Sequence, residues 1–110
     1  MSRAKGDIAE QKAVIFLSEN GFKIIEQNFY SRFGEIDIIA SKNSTLHFIE
    51  VKSGADYELA VQNITPAKIK KIIRTSDIYI KKHHYQNDFQ YDAVIVTPDT
   101  ISYLDNITFF

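Results

Sequence analysis

Cysteine is absent from the 110 residues, so disulfides, thiolate zinc sites and a cysteine nucleophile are excluded together. No run approaches the roughly 18 apolar residues of a membrane-spanning helix, and Met1 to Gly6 carry no apolar core of the signal-peptide kind. The expectation is a cytoplasmic protein with no membrane partner. Charge of one sign is not in excess either: 13 Lys and Arg against 14 Asp and Glu leave a net charge of −1. Composition therefore offers no general attraction to nucleic acid. Internal repeats, linkers and low-complexity tracts are also lacking. An unbroken chain of this length reads as a single domain over residues 1–110. Its 45% hydrophobic content suits the core of a domain that buries roughly 65% of its unfolded surface.

What is present is unevenly placed. Residues 1–65 hold 7 basic and 9 acidic side chains, residues 66–84 hold 6 and 1, and residues 85–110 hold none and 4. The middle segment is a concentrated positive element on a nearly neutral chain. It suits either a solvated helix face or an electrostatic footprint for a polyanion.

Apolar Ile8, Ala9, Ala13, Phe16 and Leu17 recur at helical spacing, with Glu10 at the border of their stripe. Asp7 and Glu10 have the spacing of a capping box, although the helix can begin nearer Ser2, and Asn20-Gly21 should end it. Phe22 to Tyr30, Glu35 to Ala40 and Leu46 to Ser53 are rich in β-branched and aromatic residues and predict strands. The polar run Ser41 to Thr45 joins the last two as an antiparallel hairpin. Residues 54–64 read as a looser connection. Thr65-Pro66 starts a second helix, with Ile69, Ile72, Ile73, Ser76 and Ile80 as its buried stripe to about His84. Strands at Phe89 to Thr97 and Ile101 to Ile107 complete the order α-β-β-β-α-β-β. The long helix between the third and fourth strands permits a parallel crossover, so the fold class is α+β with a mixed central sheet flanked by helices.

Residues two apart on a strand share a face. Glu50 and Lys52 therefore project together with Leu46 and Phe48, while Ile49 and Val51 occupy the other side. A carboxylate that interrupts an apolar strand needs a cation, a lysine or both. On the preceding strand Asp37 projects with Glu35 and Ile39, opposite Ile36 and Ile38, and the hairpin brings it alongside Glu50. Two carboxylates about 4 Å apart repel by roughly 4 kcal/mol at an effective dielectric near 20. A divalent ion relieves this, and hard oxygen ligands suit Mg2+ or Mn2+. Lysine beside such an ion completes the parts for metal-assisted phosphodiester hydrolysis. The plain alternative is a cross-strand ion-pair network. The triplet alone carries little weight, since Glu10-Gln11-Lys12 is a second copy placed on a helix.

Taken with Ala9-Glu10, Gly21-Phe22, Asn28, Lys68 and Tyr91-Asp92, the blocks Gly34-Glu35-Ile36-Asp37 and Phe48-Ile49-Glu50-Val51-Lys52 give the sequence a family likeness. It resembles the small YraN-like proteins, assigned to the restriction-endonuclease-like or PD-(D/E)XK nuclease superfamily. The resemblance implies a restriction-endonuclease-like core, with Asp37 and Glu50 as metal ligands and Lys52 as the catalytic lysine. Glu10 matches the helical glutamate of archaeal Holliday-junction resolvases. The chain departs from the superfamily in having Ile36 where proline is common, and Ser53-Gly54 where relatives often carry arginine.

These readings predict a magnesium-dependent endonuclease acting on DNA, structure-selective or nonspecific, with Asp37, Glu50, Lys52 and Glu10 at its site. Lys68, Lys70, Lys71 and Arg74 of the basic helix, with Arg32, are the candidate phosphate contacts. A homodimer would offer two symmetric sites to a duplex or branched substrate. The rival readings are a nucleic-acid-binding module without cleavage, and a protein-interaction adaptor using Thr108-Phe109-Phe110. His47, His83 and His84 read as surface or packing residues. Phe29, Tyr30 and Tyr57 are candidates for base stacking.

Overall fold

The computed structural model describes residues 2–109, with side chains described for residues 7–108. Phe110 and the Phe109 side chain, part of the suggested C-terminal adaptor segment, lie outside the described residues. The first helix, α1 (Ser2–Glu19), begins before Asp7, so Asp7 and Glu10 sit inside it and form no cap. It ends as its sequence predicts. Gly21 takes φ +87, where a side chain would be strained. Its N–H reaches Ser18 O at 3.3 Å and that of Phe22 reaches Leu17 O at 3.0 Å, closing the last turn.

Three antiparallel strands follow: β1 (Lys23–Ser31), β2 (Gly34–Lys42) and β3 (Thr45–Ser53). Asn43 and Ser44, with φ of +52 and +66, form the two-residue turn between β2 and β3. The stretch 54–64, expected as a loop, contains a one-turn helix α2 (Tyr57–Val61), capped by Asp56 accepting from Leu59 N at 2.9 Å. The long helix α3 (Pro66–Lys82) starts at its threonine cap. Its buried face runs through Ile69, Ile72, Thr75, Ser76 and Tyr79, and Ile80 stays half-buried. Thr75 and Tyr79 were not foreseen there; both find hydroxyl or ring partners in the strands.

β4 (Phe89–Val96) pairs parallel with β3, and β5 (Ile101–Leu104) pairs antiparallel with β4. A short 3-10 turn (Ile107–Phe109) follows, so the last strand stops three residues earlier than expected. The result is a mixed α+β fold whose five-stranded sheet has the order β1-β2-β3-β4-β5. One face packs on α1 through Ala9, Ala13, Leu17, Ile38, Ala40, Ile49 and Val94. The other packs on α3 through Ile36, Ile39, Phe48, Ile69, Ile72 and Tyr79. Among the described residues no helix is long and apolar enough to cross a membrane.

Candidate active site

β2 and β3 pair from Lys42 and Thr45 up to Ile38 and Ile49, where their ladder stops. The next rung would set Asp37 against Glu50. Instead Asp37 Oδ2 accepts the Val51 N–H at 2.8 Å, so a side chain replaces the backbone carbonyl and holds the two strands around the gap. The strand alternation also resets here. Ile36 packs toward α3 and Ile38 toward α1, whereas strict alternation would put both on one face, as the sequence predicted. The reset is shared with β1. Asn28, which stands opposite Asp37 between the pairs Gln27–Ile38 and Phe29–Ile36, has a left-handed φ of +55.

Glu50 reaches the same gap from β3. Its carboxyl is largely buried, and its pKa is pushed up to about 9. Burial is the first cause; a hydrogen bond with Asp37 and the repulsion of that carboxylate add to it. The Lys52 and Lys68 charges pull the other way and lose. Lys52 Nζ stands 3.7 Å from Glu50 Oε2, beyond hydrogen-bonding distance, with both side chains mostly shielded from water. The two acids thus face each other, as the hairpin register predicted, and lysine lies beside them. Their oxygens are hard donors within reach of one another, the chemistry that a divalent cation of the magnesium kind accepts. Among the described residues no group of three His, Cys, Asp or Glu side chains could hold a metal ion. An ion at this pair would need water or substrate oxygens to complete its shell.

Glu10 comes in through another side chain. Half-buried on α1, it meets Glu35 of β2 through Asn28: with its nitrogen turned toward them, the Asn28 amide donates to Glu35 Oε2 at 2.8 Å and to Glu10 Oε1 at 3.0 Å. Asn28 therefore ties α1 to the β1–β2 hairpin at the rung of Asp37. Sequence reasoning gave it no role. Its signal was an asparagine inside a strand-forming run, a residue that strands avoid and that tolerates the left-handed region.

The basic residues lie on the α3 side. Lys68 is close enough to act on Glu50, and Lys70, Lys71 and Arg74 are exposed farther along the helix. Arg32 joins them from the β1–β2 turn. Of the residues considered for base stacking, Phe29 is buried against Tyr79 and excluded, while Tyr30 is exposed and Tyr57 partly so.

On the α1 face of the sheet, starting one rung from Glu50, lies a polar network of another kind. Asp92, fully buried on β4, receives His47 Nδ1 at 2.5 Å, the Tyr103 hydroxyl, Gln90 Nε2 at 2.8 Å and the Asn106 N–H at 2.8 Å. Burial acts to raise the Asp92 pKa, but these donors outweigh it and hold the carboxyl below its ordinary value. Burial and the bond to Asp92 raise that of Tyr103. His47 is a packing residue, as expected, but one bound to a buried charge.

The sequence profile described as "Uncharacterised protein family UPF0102" matches residues 9–96, a span holding both acids, Lys52, Glu10, Asn28 and the basic helix. UPF0102 proteins of Sulfurimonas denitrificans, Aliarcobacter butzleri and Wolinella succinogenes are 61%, 52% and 48% identical to the chain over 108, 109 and 108 residues. Each of these alignments covers 98% of this chain and 99% of the relative. By this match along most of its length, the chain belongs to the uncharacterised protein family UPF0102, the YraN-like proteins.

Proposed function

We propose that the protein is a divalent-metal-dependent nuclease of the restriction-endonuclease-like, PD-(D/E)XK type that hydrolyses DNA phosphodiester bonds in the cytoplasm. The observation that carries the reading is the Asp37–Glu50 contact: two carboxyls, one buried and pushed up to about 9, share a gap with each other and with Lys52. A protein gains no stability from burying a second carboxyl against the first. A divalent cation held by these carboxyls would offset the cost of placing them together.

In this reading Asp37 and Glu50 would hold Mg2+ or Mn2+, and a bound ion would supply positive charge to a phosphate and lower the pKa of a water. The Val51 N–H fixes one Asp37 oxygen and so orients the other. Lys52 places an ammonium where negative charge develops on the phosphate. Glu10, held through Asn28, borders the pocket from α1. Lys68, Lys70, Lys71, Arg74 and Arg32 take flanking phosphates. Two copies in a dimer would address two strands of a branched or duplex substrate.

The test incubates purified protein with duplex, single-stranded and four-way-junction DNA, with Mg2+ or Mn2+ and with chelator, beside Asp37→Ala and Glu50→Ala. Metal-dependent cutting that both substitutions abolish is the expected result. Cutting that survives them overturns the site. Binding without any cutting favours a nucleic-acid-binding module.

A further inference from the structure

The two-residue turn Arg32-Phe33 between β1 and β2 leans on α3. Ser31 Oγ lies 2.8 Å from Thr75 Oγ1 and accepts the Phe33 N–H at 3.0 Å. Gly34, at φ +151, passes so near the helix that a Cβ there would sit 3.6 Å from Lys71 Cβ. This anchored approach delivers Phe33 to two guanidiniums: Arg32 Cζ is 4.8 Å and Arg74 Cζ 5.3 Å from its ring centroid. With Ala67, Lys70 and Lys71 they line an open pocket of about 470 Å³.

The pocket contains four cations and no acid. Among the described residues none of the four makes an ion pair. Like charges gathered around one pocket repel each other, and a polyanion relieves that repulsion. The Phe33 ring and the guanidinium planes add a second kind of surface, flat and suited to stacking. Helical rise places Arg74 about 9 Å along α3 from Lys68, whose charge reaches Glu50.

The geometry points to this pocket as the seat of an unpaired nucleotide in a DNA strand, with phosphates on Arg32, Lys70, Lys71 and Arg74 and the base against Phe33 and the guanidiniums. From there the strand follows α3 toward Asp37 and Glu50. The destination of the strand rests on the nuclease reading; the occupancy of the pocket does not. A blunt duplex hides its base faces, so a pocket of this chemistry selects single-stranded or frayed DNA.

The experiment measures binding by fluorescence anisotropy in chelator, using a short oligodeoxythymidylate, an abasic strand of equal charge and a blunt duplex. The thymidylate should bind about five-fold or more tighter than the abasic strand, since one stacked base contributes about 1 kcal/mol or more, and tighter than the duplex. Phe33→Leu should erase the difference between thymidylate and abasic strands while leaving the salt dependence in place. Joint Lys71→Met and Arg74→Met should lower the slope of log affinity against log salt by about 1.4, near 0.7 for each cation. Equal affinity for thymidylate and abasic strands, or a preference for duplex, overturns the proposal. Chelator keeps metal out of the binding assay, so occupancy of the pocket and cutting are read separately. Base-dependent binding without cutting in Mn2+ would therefore overturn the nuclease reading and support the pocket. Asp37-dependent cutting without base-dependent binding would do the reverse.

Discussion

Two carboxyls are taken out of water in the sheet, and their surroundings treat them in opposite ways. Asp92 is completely buried, yet four donors converge on it and its pKa falls. Glu50 is less buried, but its hydrogen-bond partner is another carboxyl and its pKa climbs to about 9. Burial alone therefore does not set the state of an acid; the donors that meet it do. Asp92 is internally satisfied and belongs to the stability of the fold. Glu50 meets a second acid instead, and the proposed metal site rests on that difference.

The largest expected effect tests the satisfied carboxyl. Asp92→Ala leaves His47, Tyr103, Gln90 and the Asn106 N–H without their acceptor, and denaturant unfolding should show a loss of about 3–5 kcal/mol. A loss under 1 kcal/mol would break the comparison. The pH dependence should also differ in sign. Asp92 has a lowered pKa, so its contribution is present above the ordinary value of 3.8 and is lost as pH falls below it. Glu50 has a raised pKa, so the folded metal-free protein holds an extra proton between the ordinary 4.5 and about 9. Its contribution is complete below 4.5 and disappears as pH rises through about 9. Glu50→Gln should remove that slope, and thermal melts in chelator at pH 8 should show a gain on the order of a few kcal/mol over the parent. An unchanged slope would refute the burial argument.

A smaller effect sharpens the same contrast through the cation. If the ion displaces the Glu50 proton, Mn2+ affinity should rise about ten-fold per pH unit from neutrality toward 9, with one proton released per ion bound. Calorimetry in buffers of different ionisation enthalpy counts that proton. Flat affinity over this range would mean that Glu50 is not a ligand. The smallest expected effect concerns the rung at Asn28. Asn28→Gly keeps the left-handed backbone and removes only the amide, whereas Asn28→Val forces a branched side chain into that conformation. The valine variant should be less stable than the glycine variant by about 1–2 kcal/mol in urea melts. Equal stabilities would show that the left-handed turn is dispensable.

Local pattern made most of the fold legible. Helical spacing of Ala9, Ala13 and Leu17, the Thr65-Pro66 start and the turn at Asn43-Ser44 are short-range signals, and each appears where it was read. The misreadings arose where non-local contacts intervene. Ile36 and Ile38 part company because Asp37 leaves the strand pattern to bind Val51 N–H. Phe29, a candidate for stacking, is buried because Tyr79 of α3 covers it. Asn28 had a local oddity but no visible purpose until Glu10 and Glu35 were beside it.

Residue order by itself determined the sequence of elements, the meander and crossover, and the adjacency of Asp37 with Glu50, because periodicity and turn chemistry act over a few neighbours. Tertiary structure alone decided the proton on Glu50, the four donors on Asp92 and the gathering of Arg32, Phe33 and Arg74. A group's charge and partners depend on every element packed around it, and those elements come from distant parts of the chain.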